Sequence, residues 1–151
     1  MKKGLLLTLI PLLMHAQPLL GEADNLTYEK NRITYEGNVR LTRGNALLTA
    51  RKVVIHLDEN RKARLAEAEG HVRYVEGNRR GFADKMVYDL KEEIITLKGN
   101  ARVEEGPNFV EGEEIIYYRK EDRAVAIGRK SRVRTFYVEE KNEKGKPDGR
   151  P

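Results

Sequence analysis

Residues 95–103 read ITLKGNARV, and this short stretch decides the fold class. Small or apolar residues occupy every second position, and polar or charged residues occupy the positions between them. Because successive side chains of a β-strand point to opposite faces, this period of two predicts a strand with one apolar face. The glycine at its centre, Gly99, indicates a bulge or a bend, as glycine inside a strand usually does.

The same pattern recurs along the chain around four glycines. Their spacings are 33, 29 and 29 residues, and the glycines are Gly37, Gly70, Gly99 and Gly128. Polar and glycine-containing turns separate the strand-like segments. We therefore predict an all-β fold of about four repeats of antiparallel strands, in which one bend per repeat wraps the sheet over its apolar face.

The two ends of such a sheet carry unpaired strand edges. We expect the first edge around residues 25–29 and the last around residues 132–138. Neither segment contains proline, a residue that natural proteins use to block strand edges. Both edges can therefore recruit further strands.

The composition argues against catalysis. The 151 residues include 29 Lys and Arg, 24 Asp and Glu, and no Cys, and Ser131 is the single serine. The lack of cysteine excludes disulfides, thiolate metal sites and a cysteine nucleophile. His56 and His71 fall on the outward phase of their strands. We expect no enzymatic activity, no cofactor and no metal site.

The N-terminus has the layout of a secretory signal peptide. Lys2 and Lys3 precede an apolar run over residues 4–14, and small residues follow. We predict a signal peptide over residues 1–23, cleaved near Ala16, Gly21 or Ala23, and export to the periplasm. The folded domain is expected over residues 24–138. Residues 139–151 contain no apolar residue and are predicted to be a disordered tail.

Five stretches carry a family resemblance. They are ITYEGNV (33–39), TARKVV (49–54), GFADKMVY (81–88), LKGNA (97–101) and GEEIIY (112–117). In this order they resemble the OstA-like family of periplasmic lipopolysaccharide-transport proteins, the LptA family, from about residue 23 to residue 138. No single stretch is specific, but four ordered copies behind a signal peptide are much more so.

The resemblance implies a fold, a ligand and partners. The family fold is an open-ended, twisted β-jellyroll of V-shaped rungs. Its ligand is lipopolysaccharide, whose lipid A acyl chains lie in the apolar interior. Its members associate end to end by strand addition and bridge an inner-membrane LptC-like subunit to an outer-membrane LptD-like translocon.

The inward phase of the strands supplies the residues expected to line such an interior, where burial of hydrocarbon stabilises by roughly 0.8 kcal/mol per methylene. Plain core packing is the alternative role for each of them. The candidates are Leu26, Tyr28, Ile33, Tyr35, Val39, Leu41, Val53, Ile55, Val72, Tyr74, Met86, Tyr88, Ile95, Leu97, Val103, Ile115 and Tyr117. Phe82 and Phe109 are expected in the core.

Two alternative functions stay open at this point. An uncleaved N-terminus would make the chain an anchored, LptC-like subunit of the same system. A β-scaffold that binds only proteins is the alternative from another class. Nucleic-acid binding, the usual role of a basic protein, is disfavoured by the export signal and by the acidic residues between the basic clusters.

Overall fold

Ten strands form the structure. The computed structural model describes residues 18–139, so most of the predicted signal peptide and all but the first residue of the predicted tail lie outside the described residues. The strands are β1 (Leu20–Glu22), β2 (Asn25–Glu29), β3 (Arg32–Arg43), β4 (Ala46–Leu57), β5 (Ala63–Glu76), β6 (Arg79–Asp89), β7 (Ile94–Glu105), β8 (Asn108–Tyr118), β9 (Arg123–Ile127) and β10 (Arg134–Phe136). One 3-10 turn, Arg119–Glu121, precedes β9, and residues 18–139 contain no α-helix, so the all-β prediction is confirmed.

All strand pairs are antiparallel and belong to one open sheet. The six long strands β3 to β8 follow one another in order, β1 and β2 both pair with β3, and β9 and β10 both pair with β8. Each end of the sheet therefore consists of two short strands. The predicted edge at residues 132–138 supplies only half of the last end, because β9 forms the other half. At the first end, β1 lies before residue 24, where the domain was expected to begin.

Three of the predicted bends are confirmed as corners. Gly99 has a φ of 82° and Asn100 a φ of 49°, and the pairs Gly37-Asn38 and Gly70-His71 adopt the same left-handed conformation. At each pair the register shifts, so that two residues oppose a single residue of the following strand. Such a bulge bends the strand. Gly128 was predicted to lie inside a strand, and this was wrong, because it follows the end of β9 at Ile127 and begins the loop that leads to β10.

The corners divide the sheet into two arms that face each other as a V. Arm 1 contains β2, β9 and residues 32–36, 52–57, 63–69, 85–89, 94–98 and 114–118. Arm 2 contains β1, β10 and residues 39–43, 46–50, 72–76, 79–83, 101–105 and 108–112. The buried residues of the described chain are all apolar and form one cluster, with Val53 and Val39 almost fully inaccessible.

Acidic side chains brace the outside of the corners. Asn100 donates through Nδ2 to Asp84 Oδ2 at 3.0 Å, and Asn38 makes the same bond to Asp24 at 2.9 Å. The loop from β9 to β10, residues 128–133, forms a last corner between the arms, and there Glu113 Oε2 accepts the backbone N–H groups of Arg129, Lys130 and Ser131 at 2.6–2.8 Å. These hydrogen bonds lower the pKa of Glu113 to about 2.

Acid is expected to loosen this last corner. Because the pKa of Glu113 lies below its ordinary value of 4.5, the carboxylate stabilises the corner above pH 4.5, and this stabilisation is lost as the pH falls toward 2. Amide exchange at residues 129–131 should therefore show protection factors that fall between pH 5 and pH 2. In Glu113→Ala they should be low at both pH values, whereas Glu114→Ala should keep the pH dependence. Unchanged protection in Glu113→Ala would contradict this role.

Candidate functional site

Two uninterrupted rows of inward side chains run along arm 1. Residues directly opposite each other in adjacent strands share a face, so the register defines the rows. The first row is Leu26, Tyr35, Val53, Ala68, Met86, Leu97, Ile115 and Ala126. The second row is Tyr28, Ile33, Ile55, Ala66, Tyr88, Ile95, Tyr117 and Ala124. Each row spans the sheet without a charged residue.

Arm 2 faces these rows with smaller side chains. The sequence-predicted residues on this arm are Val39, Leu41, Val72, Tyr74 and Val103. Ala101, which the alternation in residues 95–103 places on the apolar face, shares their inward face, and so do residues that were not predicted there: Leu48, Ala50, Gly81, Ala83, Val110 and Gly112. A Cβ atom built on Gly81 would lie 3.5 Å from Cδ1 of Leu97 in arm 1, so the two arms approach closely there. The space between the arms is an apolar slot.

The slot widens into a cavity toward its C-terminal end. The cavity has a volume of about 640 Å³, within the range of about 300–1,000 Å³ that small-ligand sites occupy. Its apolar wall comes from both arms: Gly81, Met86, Ile95, Leu97, Val103, Val110, Ile115, Ala124 and Ala126. Nothing in this wall can bind a ligand by directional contacts. The cavity therefore suits hydrocarbon, which is held by burial alone.

Polar side chains surround the open side of the cavity, between the tips of the arms. Tyr74 donates to Glu76 at 2.9 Å, and its burial together with this bond raises the pKa of the Tyr74 hydroxyl. From arm 2, the guanidinium of Arg79 lies 5.9 Å from the ring centre of Tyr117 in arm 1. Arg119 donates to the Tyr88 hydroxyl at 3.3 Å. These residues form a polar rim, in which Tyr74, Tyr88 and Tyr117 were predicted to line the interior, whereas Glu76, Arg79 and Arg119 were not among the candidates.

The two ends of the slot are open. Leu26 and Tyr28, predicted to line the interior, begin the two rows on β2 but are 59% and 57% exposed, because no strand of residues 18–139 lies outside β2. Leu20 on β1 and Phe136 on β10 are also exposed, but they lie on the outward face of arm 2, because they pair with the outward residues Thr42 and Phe109. The structure thus leaves large apolar side chains exposed at the first end of both rows, as expected for a slot that continues into a neighbouring molecule.

Phe82 and Phe109 do not belong to the core, which corrects the prediction. Phe82 lies between the inward residues Gly81 and Ala83, and Phe109 precedes the inward Val110, so both point outward from arm 2. The Arg73 guanidinium is 5.7 Å from the ring centre of Phe82, and that of Arg102 is 4.0 Å from that of Phe109. The outward face of the strand therefore holds cation–π pairs rather than core.

The exterior is charged in both signs. Cross-strand ion pairs such as Arg80–Glu104 at 3.0 Å neutralise many of the basic residues, unlike the one-signed surface of a nucleic-acid binder. Within residues 18–139, no three histidine or acidic side chains are grouped closely enough to hold a metal ion. No helix in that range is long and apolar enough to cross a membrane.

A comparison with models of protein families identifies one family, and a solved structure shares the fold. The family model for LptA and the N-terminal domain of LptD, described as lipopolysaccharide transport proteins, matches residues 20–123. Among solved structures, the fold is similar to LptH, the LptA-homologous periplasmic component of the conserved lipopolysaccharide transport device of Pseudomonas aeruginosa. The TM-score is 0.73 at 21% identity, covering 82% of this chain and 96% of that one. No curated protein sequence gave a significant match.

Proposed function

The chain belongs to the family of LptA and the LptD N-terminal domain, which are lipopolysaccharide transport proteins, and from this premise we propose that it is a non-enzymatic periplasmic carrier whose slot holds lipopolysaccharide acyl chains. The observation that carries the proposal is the pair of apolar rows, which run from one end of the sheet to the other without a charge. Several acyl chains lying along them would gain about 0.8 kcal/mol per buried methylene.

A slot of this kind suits transport because it lacks a closed binding pocket. Apolar attraction is not directional, so a chain can slide along the rows without breaking specific bonds. Both ends are open, so lipid can enter from one neighbour and leave to another. The energy for movement would come from elsewhere in the transport system.

We propose that copies join end to end by strand addition, forming a bridge between an LptC-like subunit of the inner membrane and an LptD-like translocon of the outer membrane. The two-part ends of the sheet support this proposal. Exposed β2 and β9 present strand edges that no other part of the described chain covers, and such edges favour pairing with another chain.

We further propose that export to the periplasm ends with cleavage after Ala16, rather than after Gly21 or Ala23. Only the first of these sites leaves β1 intact, and β1 contributes three paired positions to the sheet. The mass of the exported protein distinguishes the three sites. A mass that includes Met1 would instead support the anchored alternative.

Site-specific photo-crosslinking tests the carrier proposal. A photo-reactive residue at Leu97, which is 5% exposed and lines the cavity, should capture lipopolysaccharide from cells. The same residue at Lys98, on the opposite face of the strand, should not. The two variants differ by one position in one strand, so they report which face meets the lipid. Equal capture at both positions would contradict the slot.

A further inference from the structure

The two ends of the sheet carry opposite charges. Residues 20–29, which form β1 and β2, contain acidic residues and no lysine or arginine. Residues 123–138, which include β9 and β10, contain five basic residues and no acidic one. The acids are Glu22, Asp24 and Glu29, and the bases are Arg123, Arg129, Lys130, Arg132 and Arg134.

These charges stand at the ends of two outward rows. In arm 2 the row begins at Glu22, opposite Arg40, and ends at Arg134, which contacts Glu111 at 2.8 Å. In arm 1 the corresponding row begins at Glu29, which contacts Arg32 at 2.8 Å, and ends at Arg123. Each row therefore starts with a glutamate and finishes with an arginine.

We infer that the joint between two copies has one fixed register, in which Arg123 lies opposite Glu29 of the next copy and Arg134 lies opposite Glu22 of the next copy. This inference rests on the end-to-end assembly proposed above. The strand directions allow it: the eight strands of arm 1, from β2 to β9, alternate in direction. β9 and β2 of the next copy would therefore pair antiparallel, like every other pair in the sheet.

The same register continues the apolar rows across the joint. Setting Arg123 opposite Glu29 places Ala126 opposite Leu26 of the next copy, and Ala124 opposite its Tyr28. Each inward row of one copy therefore continues into the same row of the next copy. On the outward face of arm 2, Phe136, which is 50% exposed and stacks on Phe109, comes opposite Leu20 of the next copy, which is 60% exposed. The exposed apolar side chains at both ends thus acquire partners in a single arrangement.

Other registers lose these matches. A slip by one residue would turn Leu26 and Tyr28 of the next copy to the outside of the slot, because side chains alternate between faces. A slip by two residues would keep them inside but separate both arginines from their glutamates. The ion pairs therefore select the register, and the apolar rows select the face.

Disulfide trapping tests the register in a chain that has no native cysteine. In the inferred joint, Val125 lies opposite Thr27 of the next copy. On oxidation, the double variant Thr27→Cys, Val125→Cys should form a ladder of disulfide-linked oligomers. The control Asn25→Cys, Val125→Cys is offset by two residues on the same face and should form few. Equal ladders, or a stronger ladder from the control, would overturn the register.

Charge reversal tests the ion pairs separately. Glu22→Arg, Glu29→Arg and the complementary Arg123→Glu, Arg134→Glu should each self-associate at least about ten-fold more weakly than the unmodified chain in sedimentation experiments, because each brings like charges together at the joint. Mixing the two variants creates opposite charges at every joint and should restore association. The restoration also shows that both variants fold.

The outcomes separate this inference from the proposal beneath it. If both charge variants assemble as strongly as the unmodified chain, or if their mixture does not recover, the inferred ion pairs are wrong while end-to-end assembly stands. If the unmodified chain remains monomeric at high concentration, both the inferred register and the proposed end-to-end assembly are wrong. Neither result bears on lipid capture at position 97, which has its own test.

Discussion

Replacing Gly99 with alanine is expected to lower the free energy of unfolding by about 2–3 kcal/mol, measured by urea denaturation. Gly99 has a φ of 82°, and an L-residue in the left-handed region costs about 1–2 kcal/mol. The new Cβ would also lie 2.6 Å from Oδ2 and 3.0 Å from Cβ of Asp84. The carboxylate would have to move from the position in which it accepts the Asn100 hydrogen bond.

Gly106→Ala is the matched control for this change. Gly106 lies in a turn with a φ of 59°, and nothing lies within 4 Å of the place where its Cβ would be. It therefore tests the backbone cost alone, and we expect a loss of about 1–2 kcal/mol. Equal losses at the two positions would show that the contact with Asp84 contributes nothing. If Gly99→Ala leaves the free energy of unfolding unchanged, the left-handed conformation at this corner does not contribute to the stability of the fold.

Local signals in the sequence account for the part of the fold that could be predicted. The alternation in residues 95–103 follows from the geometry of one strand, and the conformation at Gly99 requires that residue type in that place. Three of the four glycines become corners for this reason. The fourth, Gly128, is followed by residues whose amides bind Glu113, a contact between distant parts of the chain that no local pattern specifies.

The sequence does not show which residues of β4, β6 and β8 face inward on both sides of a corner. In β4, Ala50 and Val53 are both buried although they are three positions apart, because the intervening Arg51 alone opposes the pair Gly37-Asn38. A two-against-one bulge shifts the alternation of the partner strand. A reading that begins at Val53 therefore misses Leu48 and Ala50, since the shift is a property of two strands.

The candidate site, like the fold, is only partly predictable from the sequence. The large inward residues of arm 1 follow from alternation. The position of the cavity does not follow from alternation, because the cavity exists where small residues, such as Gly81 and Ala126, leave space opposite larger ones. Nor does the polar rim, in which Arg79 and Tyr117 meet only because the tips of the arms converge. Lipid contact by the inward residues stays a prediction that the photo-crosslinking experiment addresses.

Replacing Gly81 with phenylalanine is expected to abolish most lipopolysaccharide binding while leaving the sheet intact. Gly81 is buried and lines the cavity, and its backbone conformation is open to other residues. A ring at this position would occupy space between Tyr74 and Val103, its neighbours in the inward row. If it displaces three or four methylene groups of an acyl chain, the loss is about 3 kcal/mol, or roughly 100-fold in affinity.

Stability and binding should move in different directions, which makes the experiment decisive. Filling a cavity commonly stabilises a protein, so the melting temperature of Gly81→Phe should stay level or rise while displacement of a fluorescent lipopolysaccharide fails. Gly81→Ala adds only a Cβ at ordinary contact distance, 3.5 Å from Leu97, and should bind normally. A phenylalanine variant that folds and still binds at full affinity would place the acyl chains outside the cavity. A variant that loses both would mean that the arms cannot accommodate the ring, and a photo-reactive residue at Leu97 in the Gly81→Ala chain would then locate the lipid.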